Sequence, residues 1–133
     1  MKRETATDGT RLERVIGAPL ARDAVRQWPQ SGERIVGRDR IAEVESHFGG
    51  LRLGVGRRIR LGDTIVVEWT TDYGDGRLYR NVSIADLRDG QAVTVTDYWG
   101  EPFTPPAWRA ALAEPLDMRK DERWPSADAL VGD

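Results

Sequence analysis

The residue of this sequence best suited to acid–base chemistry is Asp97. Side chains of a strand alternate between its two faces, so Asp97 shares a face with Val95 and Trp99. If that face lines the interior, apolar groups surround the carboxyl group and it could serve as a general acid or base. The alternative is that Asp97 pairs with an arginine, such as Arg80 or Arg34, and only stabilises the sheet edge.

Three polar side chains with the same two-residue period precede Asp97 in the sequence: Tyr79, Asn81 and Ser83. Hydroxyl and amide groups on one strand face could donate hydrogen bonds to a carbonyl oxygen of a ligand and stabilise an oxyanion. The same spacing is also typical of a solvated outer face. Alternation offers two faces and does not choose between them.

Three tryptophans are candidate walls of a ligand cavity. Trp28 and Trp99 end segments that have the pattern of strands, and Trp69 continues an apolar row through Ile65 and Val67. Ligand pockets are lined mainly by apolar and aromatic side chains with a few polar groups. Buried tryptophans are also ordinary components of a core, so both interpretations stand.

The sequence lacks the residues of most metal sites and covalent mechanisms. It has no cysteine and a single histidine, His47, which follows a helical pattern and suits a helix C-terminus. Catalytic zinc usually needs about three protein ligands. No phosphate-binding loop or nucleophile elbow occurs. We therefore expect neither a metal nor another cofactor.

Charge and hydropathy argue against two classes of partner. Lys and Arg total 20 against 22 Asp and Glu, a net charge of -2, whereas nucleic-acid binding favours a basic excess. No apolar stretch approaches the 18 or so residues of a membrane span, and no apolar signal segment follows the N-terminal charges. These observations predict a cytoplasmic protein that binds neither nucleic acid nor membrane.

The apolar pattern predicts helices first and a sheet afterwards. One helix begins near Thr10 and ends at Gly17, and a second begins with Asp39 as its N-cap and ends before Gly49. A further helical turn is predicted at residues 20–22 and a turn at 30–34. The predicted strands are 23–28, 51–61, 63–72, 78–87 and 92–99, the last four being consecutive. This order indicates an α+β fold with helices packed on one face of a curved antiparallel sheet.

The chain is predicted to be one domain with a tail. Residues 1–112 form the domain, and residues 113–133 are charged and weakly patterned. We expect this tail to be loosely held, with Trp124 and Leu130 contacting a surface groove.

Two charged positions have structural interpretations. Glu33 and Arg34 are predicted to form an ion pair that locks their turn. Glu68 faces away from Trp69 and either lines a dimer interface or pairs with an arginine across the sheet.

Three segments carry a resemblance to a known family: Trp28–Arg38, Asp97–Trp99 and Glu101–Ala110. Together they resemble a bacterial branch of the SnoaL-like superfamily, whose relatives include polyketide cyclases, ketosteroid isomerases and nuclear transport factor 2-like proteins. The likeness covers roughly residues 20–112. It implies a cystatin-like, cone-shaped α+β barrel with a hydrophobic cavity between helices and sheet. It also implies a homodimer through the outer sheet face, which here carries Val66, Glu68, Thr70, Val82 and Ile84.

The resemblance also bears on chemistry. Trp28 occupies the position of the ketosteroid isomerase base, and Ser83 that of the carboxylic acid which donates to the substrate oxygen, so that mechanism is not expected. The cyclases carry an acidic residue near the end of the last strand, where this chain has Asp97 and Glu101. The region before the first strand is also shorter than usual, so the cavity is open there, or a partner or the tail closes it.

Two functions follow. The first is binding of a small hydrophobic molecule by Trp28, Trp69, Tyr79, Asn81, Ser83 and Trp99, without an assigned activity. The alternative is a cofactor-independent isomerase, cyclase or dehydratase that acts on an enolisable carbonyl compound with Asp97 as the general acid or base.

Overall fold

The computed structural model describes residues 9–117 and 124–133, and within them one sheet of seven strands dominates. The strand order is β2-β1-β6-β5-β4-β3-β7. The strands are β1 Leu20–Trp28, β2 Glu33–Val36, β3 Arg52–Leu61, β4 Thr64–Asp72, β5 Leu78–Arg88, β6 Gln91–Gly100 and β7 Val131–Gly132; the helices are α1 Arg11–Ile16 and α2 Arg38–Glu45. The predicted α+β class is confirmed.

One strand pair departs from the predicted antiparallel pattern. β1 runs parallel to β6, with Arg26 opposite Val95, while every other pair is antiparallel. Antiparallel neighbours can be joined by a tight turn, whereas parallel strands need a long connection. More than sixty residues separate β1 from β6, so the chain can place them side by side in either direction.

The first helix was predicted correctly and its ends have clear causes. Thr10 and Glu13 form a reciprocal capping box at its start, and Gly17 ends it with a φ of 77°. Its apolar face buries Leu12, Val15 and Ile16. Beyond it, the predicted helical turn at residues 20–22 is wrong. These residues begin β1, where the Ala92 N–H donates to the Pro19 carbonyl at 2.8 Å.

The second helix and the segment before it also differ from prediction. The predicted turn includes Glu33 and Arg34, yet these residues begin β2, which pairs with Gln27 and Trp28 of β1. The N-cap of α2 is Gly37, not Asp39, and no side chain caps the helix. Gly37 has a φ of 100°, which favours glycine, and its N–H donates to the Ala24 carbonyl of β1 at 2.7 Å. Pairing with β1 thus determines where α2 begins.

The core lies between the two helices and one face of the sheet. Ile41 of α2 is fully buried with the apolar face of α1, against Val67 of β4, Ala85 of β5 and Val95 of β6. Polar side chains share this face further along the strands, where Asn81, Ser83 and Asp97 are buried. The inner face therefore changes from apolar to polar toward one end of the sheet.

The end of the chain is held more firmly than predicted. β7 pairs with Arg52 and Leu53 of β3, and Leu130 is buried. A Cβ on Gly54 would lie 2.6 Å from Leu130 and 3.0 Å from Pro125, so these two residues pack directly on the backbone of β3. Two residues of weak pattern give no sequence signal for a strand, which is why β7 was missed. Trp124 is half-buried.

The outer sheet face is partly covered by this segment. Arg80 donates to the Thr70 hydroxyl at 3.1 Å and to the Pro125 carbonyl at 3.3 Å, and Thr70 is fully buried. Thr70 is therefore not available to a partner, contrary to its place in the predicted interface. Glu68 accepts from Arg57 at 2.8 Å, so the arginine alternative for Glu68 holds in this chain.

Within the described residues, no helix is long and apolar enough to span a membrane. The same residues contain no cluster of His, Asp or Glu that could hold a metal ion.

Candidate functional site

A cavity of about 370 Å³ lies at the polar end of the inner face, where β1, β4 and β6 end and β5 begins. Its size falls at the lower end of the range for small-molecule sites. Aromatic side chains form most of its wall: Trp28, Phe48, Trp69, Tyr73, Tyr79, Tyr98 and Trp99. The remaining lining residues are Arg26, Ser31, Glu33, Asp75, Asn81 and Asp97.

The structure brings the predicted site residues together. Those that line the cavity are Asp97, Trp28, Trp69, Tyr79, Asn81 and Trp99. Ser83 lies one layer deeper, fully buried behind Asp97 and Trp69. The register explains this clustering, since Asn81 is directly opposite both Trp69 and Trp99, and Ser83 is opposite Asp97.

Asp97 is the centre of a polar cluster in the cavity floor. It is 3% exposed, and its carboxylate accepts hydrogen bonds from three side chains. Arg26 Nε donates to Oδ2 at 2.5 Å, Trp28 Nε1 donates to the same oxygen at 2.8 Å, and Ser83 Oγ donates to Oδ1 at 2.5 Å. Both carboxylate oxygens are thus engaged by the protein.

The arginine partner of Asp97 differs from those predicted. It is Arg26 of β1, not Arg80 or Arg34. Arg80 lies on the outer face and contacts Thr70, while Arg34 lies on the edge strand β2. Residues two positions apart in a strand share a face, so Arg26 lies on the same face of β1 as Trp28. A charged residue on that face indicates a buried ion pair.

Arg26 links Asp97 to a second buried carboxylate, Glu45 at the end of α2. Arg26 Nη1 lies 3.2 Å from Glu45 Oε2. Glu45 also accepts from the backbone N–H groups of Arg11 at 2.8 Å and Leu12 at 2.9 Å. This carboxylate therefore satisfies the first donors of α1 and joins both helices to the cavity floor.

Two further polar side chains of the site, Trp69 and Asn81, also donate to partners within the protein. Trp69 Nε1 donates to Ser83 Oγ at 3.0 Å, so Ser83 connects Trp69 with Asp97. Asn81 Nδ2 donates to Thr71 Oγ1 at 3.2 Å. These bonds fix the orientation of the wall.

Aromatic contacts order the upper wall of the cavity. The Trp28 and Trp99 rings meet edge to face, with centroids 6.0 Å apart. The centroid of the Tyr73 ring lies 5.8 Å from that of Phe48 and 5.3 Å from that of Tyr79. Such pairs contribute about 0.5–1.5 kcal/mol beyond the area they bury. The cavity wall therefore contains two groups of aromatic rings in mutual contact.

Asp75 lines the mouth and belongs to a group of charged residues. Asp75 accepts from the Tyr79 hydroxyl at 3.3 Å and lies 3.5 Å from Arg77, which also pairs with Glu101. Desolvation, together with the negative charges of Asp75 and Glu101, raises the pKa of Tyr79 above its ordinary value, although Arg77 opposes this.

The predicted Glu33–Arg34 ion pair is wrong. Both residues are described, and no ion pair joins them; as neighbours in β2, their side chains leave opposite faces of the strand. Glu33 instead lines the cavity mouth and is exposed.

Several site residues were not predicted to belong to the cavity: Arg26, Ser31, Glu33, Phe48, Tyr73, Asp75 and Tyr98 on the wall, and Glu45 beneath it. Glu45 and Phe48 share the helical period of Ile41; Glu45 is the last residue of α2, and Phe48 follows the end of the helix. The turn residues Tyr73 and Asp75 had no periodic signal, because only tertiary packing brings a turn to a cavity.

Comparisons with known proteins identify relatives by structure. The chain is similar to a nuclear transport factor 2-like protein of unknown function from Burkholderia xenovorans, with 33% identity and a TM-score of 0.64 over 73% of this chain and 77% of the other. It is also similar to a candidate ketosteroid isomerase from Kribbella flavida, with 31% identity and a TM-score of 0.68 over 77% and 76% of the two chains. No family model and no curated protein matches the sequence.

Proposed function

Because the chain belongs to the nuclear transport factor 2-like family, we propose that it uses the cavity of this fold to bind a small, mainly apolar molecule. The observation that carries the proposal is the aromatic wall, in which seven aromatic side chains surround about 370 Å³. Burial of apolar ligand surface supplies about 25 cal/mol per Å², and ordered aromatic rings present such surface without a large entropic cost.

The polar floor supports binding more than proton transfer. A general base needs a free lone pair directed at the substrate. Both oxygens of Asp97 accept charge-assisted or short hydrogen bonds from the protein, and Ser83 and Asn81 are also engaged. A carboxylate offers about four acceptor sites, and three protein donors occupy sites on Asp97, so the protein fixes its orientation and leaves it little capacity to accept a proton from a ligand.

Binding is tested with N-phenyl-1-naphthylamine, a neutral probe whose fluorescence rises in apolar surroundings. We expect saturable binding with one site per chain. Trp99→Leu removes part of the wall and its contact with Trp28, and should weaken binding about fivefold to tenfold. Trp108→Leu is the matched control, since Trp108 is 74% exposed and lies outside the cavity.

The proposal fails if the probe shows no saturable binding to the folded protein. It also fails if Trp99→Leu and Trp108→Leu weaken binding equally, because the probe would then occupy another surface.

The second candidate function is enzymatic. It is favoured by the position of Asp97 in the cavity wall and by the likeness to the Kribbella flavida protein. In this candidate Asp97 exchanges a proton with an enolisable carbonyl compound. Deuterium exchange at the α carbons of 2-tetralone, followed by NMR, is then accelerated by the protein and not by Asp97→Asn. Equal acceleration by both proteins, or none by either, rules this role out.

A further inference from the structure

The ionisable residues of the cavity wall are unequally divided between the two charges. One cation, Arg26, stands against three carboxylates, Glu33, Asp75 and Asp97. This excess differs from the nearly balanced charge of the chain as a whole. The cavity is therefore a local region of negative charge.

The buried part of this excess is a single cluster. Arg26 is 7% exposed and lies between the carboxylates of Asp97 and Glu45, which leaves one net negative charge beneath the floor. The field of a buried charge is weakly screened by water and is stronger in the cavity than at an exposed surface.

The mouth adds further negative charge. Glu33 is exposed, lines the cavity and has no ion-pair partner among residues 9–117 and 124–133. Asp75 and Glu101 share one cation, Arg77.

The aromatic wall suits the same sign of ligand charge. The face of an aromatic ring is negative and attracts cations, most strongly when the cation is desolvated. Arg26 already shows this contact, with its guanidinium carbon 5.5 Å from the centroid of the Trp28 ring. Rings from β4, β5 and β6 surround the space beyond it, namely Trp69, Tyr79 and Trp99.

We infer that the cavity prefers an organic cation, an amine or quaternary ammonium group carried on an apolar body, over neutral and anionic molecules of the same shape. This inference rests on the proposed binding function. The ammonium group lies among the rings and faces the carboxylates, while the apolar body fills the remaining volume.

An anionic ligand suits the cavity poorly. Arg26 is its only cationic wall residue within the part of the chain that the structure describes. Both Nε and Nη1 of Arg26 already donate to carboxylates. An anion bound beside Arg26 is repelled by Asp97 and Glu45, and the only cation near it is already paired with these two carboxylates.

The test compares three ligands of matched shape. Phenyltrimethylammonium, its neutral carbon isostere tert-butylbenzene and the anion 4-tert-butylbenzoate each displace N-phenyl-1-naphthylamine from the full-length protein. We expect the cation to bind at least tenfold more tightly than the isostere and the anion to bind most weakly. Added salt should reduce the preference for the cation, because it screens the charges at the mouth.

A variant pair locates the preference. Glu33→Gln should lower the affinity for phenyltrimethylammonium about twofold to fivefold and leave the affinity for tert-butylbenzene unchanged. Glu43→Gln removes an exposed carboxylate of α2 that does not line the cavity, and should change neither affinity.

The outcomes separate the two proposals. If the neutral probe binds but the cation and its isostere bind within twofold of each other, the binding function stands and the charge preference is wrong. The same conclusion follows if the anion binds most tightly. If no probe or ligand binds the folded protein, both proposals are wrong.

Discussion

At the scale of single residues, Arg26 holds the site together. Among residues 9–117 and 124–133, it is the side chain that contacts both buried carboxylates and lies over the ring of Trp28. Replacing a buried ion pair with apolar residues can be neutral, but removing one partner leaves a charge unpaired. Removing Arg26 leaves two buried carboxylates, Asp97 and Glu45, without their cation.

We predict that Arg26→Leu lowers the free energy of unfolding by about 3–5 kcal/mol. Arg22→Leu is the control, because Arg22 lies on the same strand with an exposed side chain and should cost under about 0.5 kcal/mol. Urea unfolding followed by tryptophan fluorescence measures both. Equal values for the two variants would show that the cluster contributes little to stability.

The same residues mark what could be predicted from the sequence. Alternation placed Asn81 and Ser83 on one face of their strand and Asp97 with Val95 and Trp99 on one face of another, and burial shows that both are the inner face. It could not identify Arg26 as the partner of Asp97, because the parallel pairing of β1 with β6 depends on the whole sheet. Glu33 was misassigned because a short edge strand and a turn have similar composition.

At the scale of elements, Glu13 connects three segments. Its carboxylate accepts from the Thr10 N–H in the cap of α1, from the Leu20 N–H at the start of β1 at 2.7 Å, and from Arg38 of α2 at 2.9 Å. Burial is the largest single influence and tends to raise the pKa of Glu13. The hydrogen bonds from Arg38, Leu20 and Thr10 together outweigh burial and hold the pKa below its ordinary value of 4.5.

A lowered pKa in the folded state gives a defined pH dependence. The stabilisation is complete above the ordinary pKa of 4.5 and is lost as the pH falls through that value and then through the lower folded value. We predict that Glu13→Gln costs about 1 kcal/mol at pH 7, since water at the partly exposed Arg38 screens the pair. The difference from the native protein should shrink in acid.

Unfolding midpoints measured from pH 7 down to pH 3 test this prediction. The control is Glu43→Gln, whose midpoint should follow that of the native protein. A cost for Glu13→Gln that stays constant or grows toward pH 3 would contradict the assigned shift.

At the scale of the whole molecule, the described residues leave two apolar surfaces exposed. The outer sheet face carries half-buried Val66, Val82 and Ile84 beside the corner that Pro125 and Leu130 cover. After β6, the chain also presents exposed Phe103, Trp108, Leu112 and Leu116. Large apolar side chains that reach the surface are candidates for an interaction site. We propose a homodimer through the outer sheet face, as the family resemblance implies.

We predict that light scattering gives twice the chain mass of 14.9 kDa at micromolar concentration. Val82→Glu places a charge at the centre of this face and should yield a monomer with its cavity intact. Thr64→Glu, at the end of the same face, should not change the mass. If the native protein is a monomer, the proposed dimer is wrong. If Val82→Glu remains a dimer, the interface does not lie on the outer sheet face.

The parallel pairing of β1 with β6 also has a consequence for the order in which the chain folds. Turns of a few residues join β3, β4, β5 and β6 in succession, so these hairpins close short loops, whereas Arg26 and Asp97 are 71 positions apart. Contacts of such separation form slowly, and we expect the charge cluster to be completed last. Arg26→Leu should therefore accelerate unfolding far more than it slows refolding, a result that stopped-flow kinetics can verify or refute. The cluster can then form only after β1 has paired with β6 in the native register, so it stabilises that register at the last step of folding.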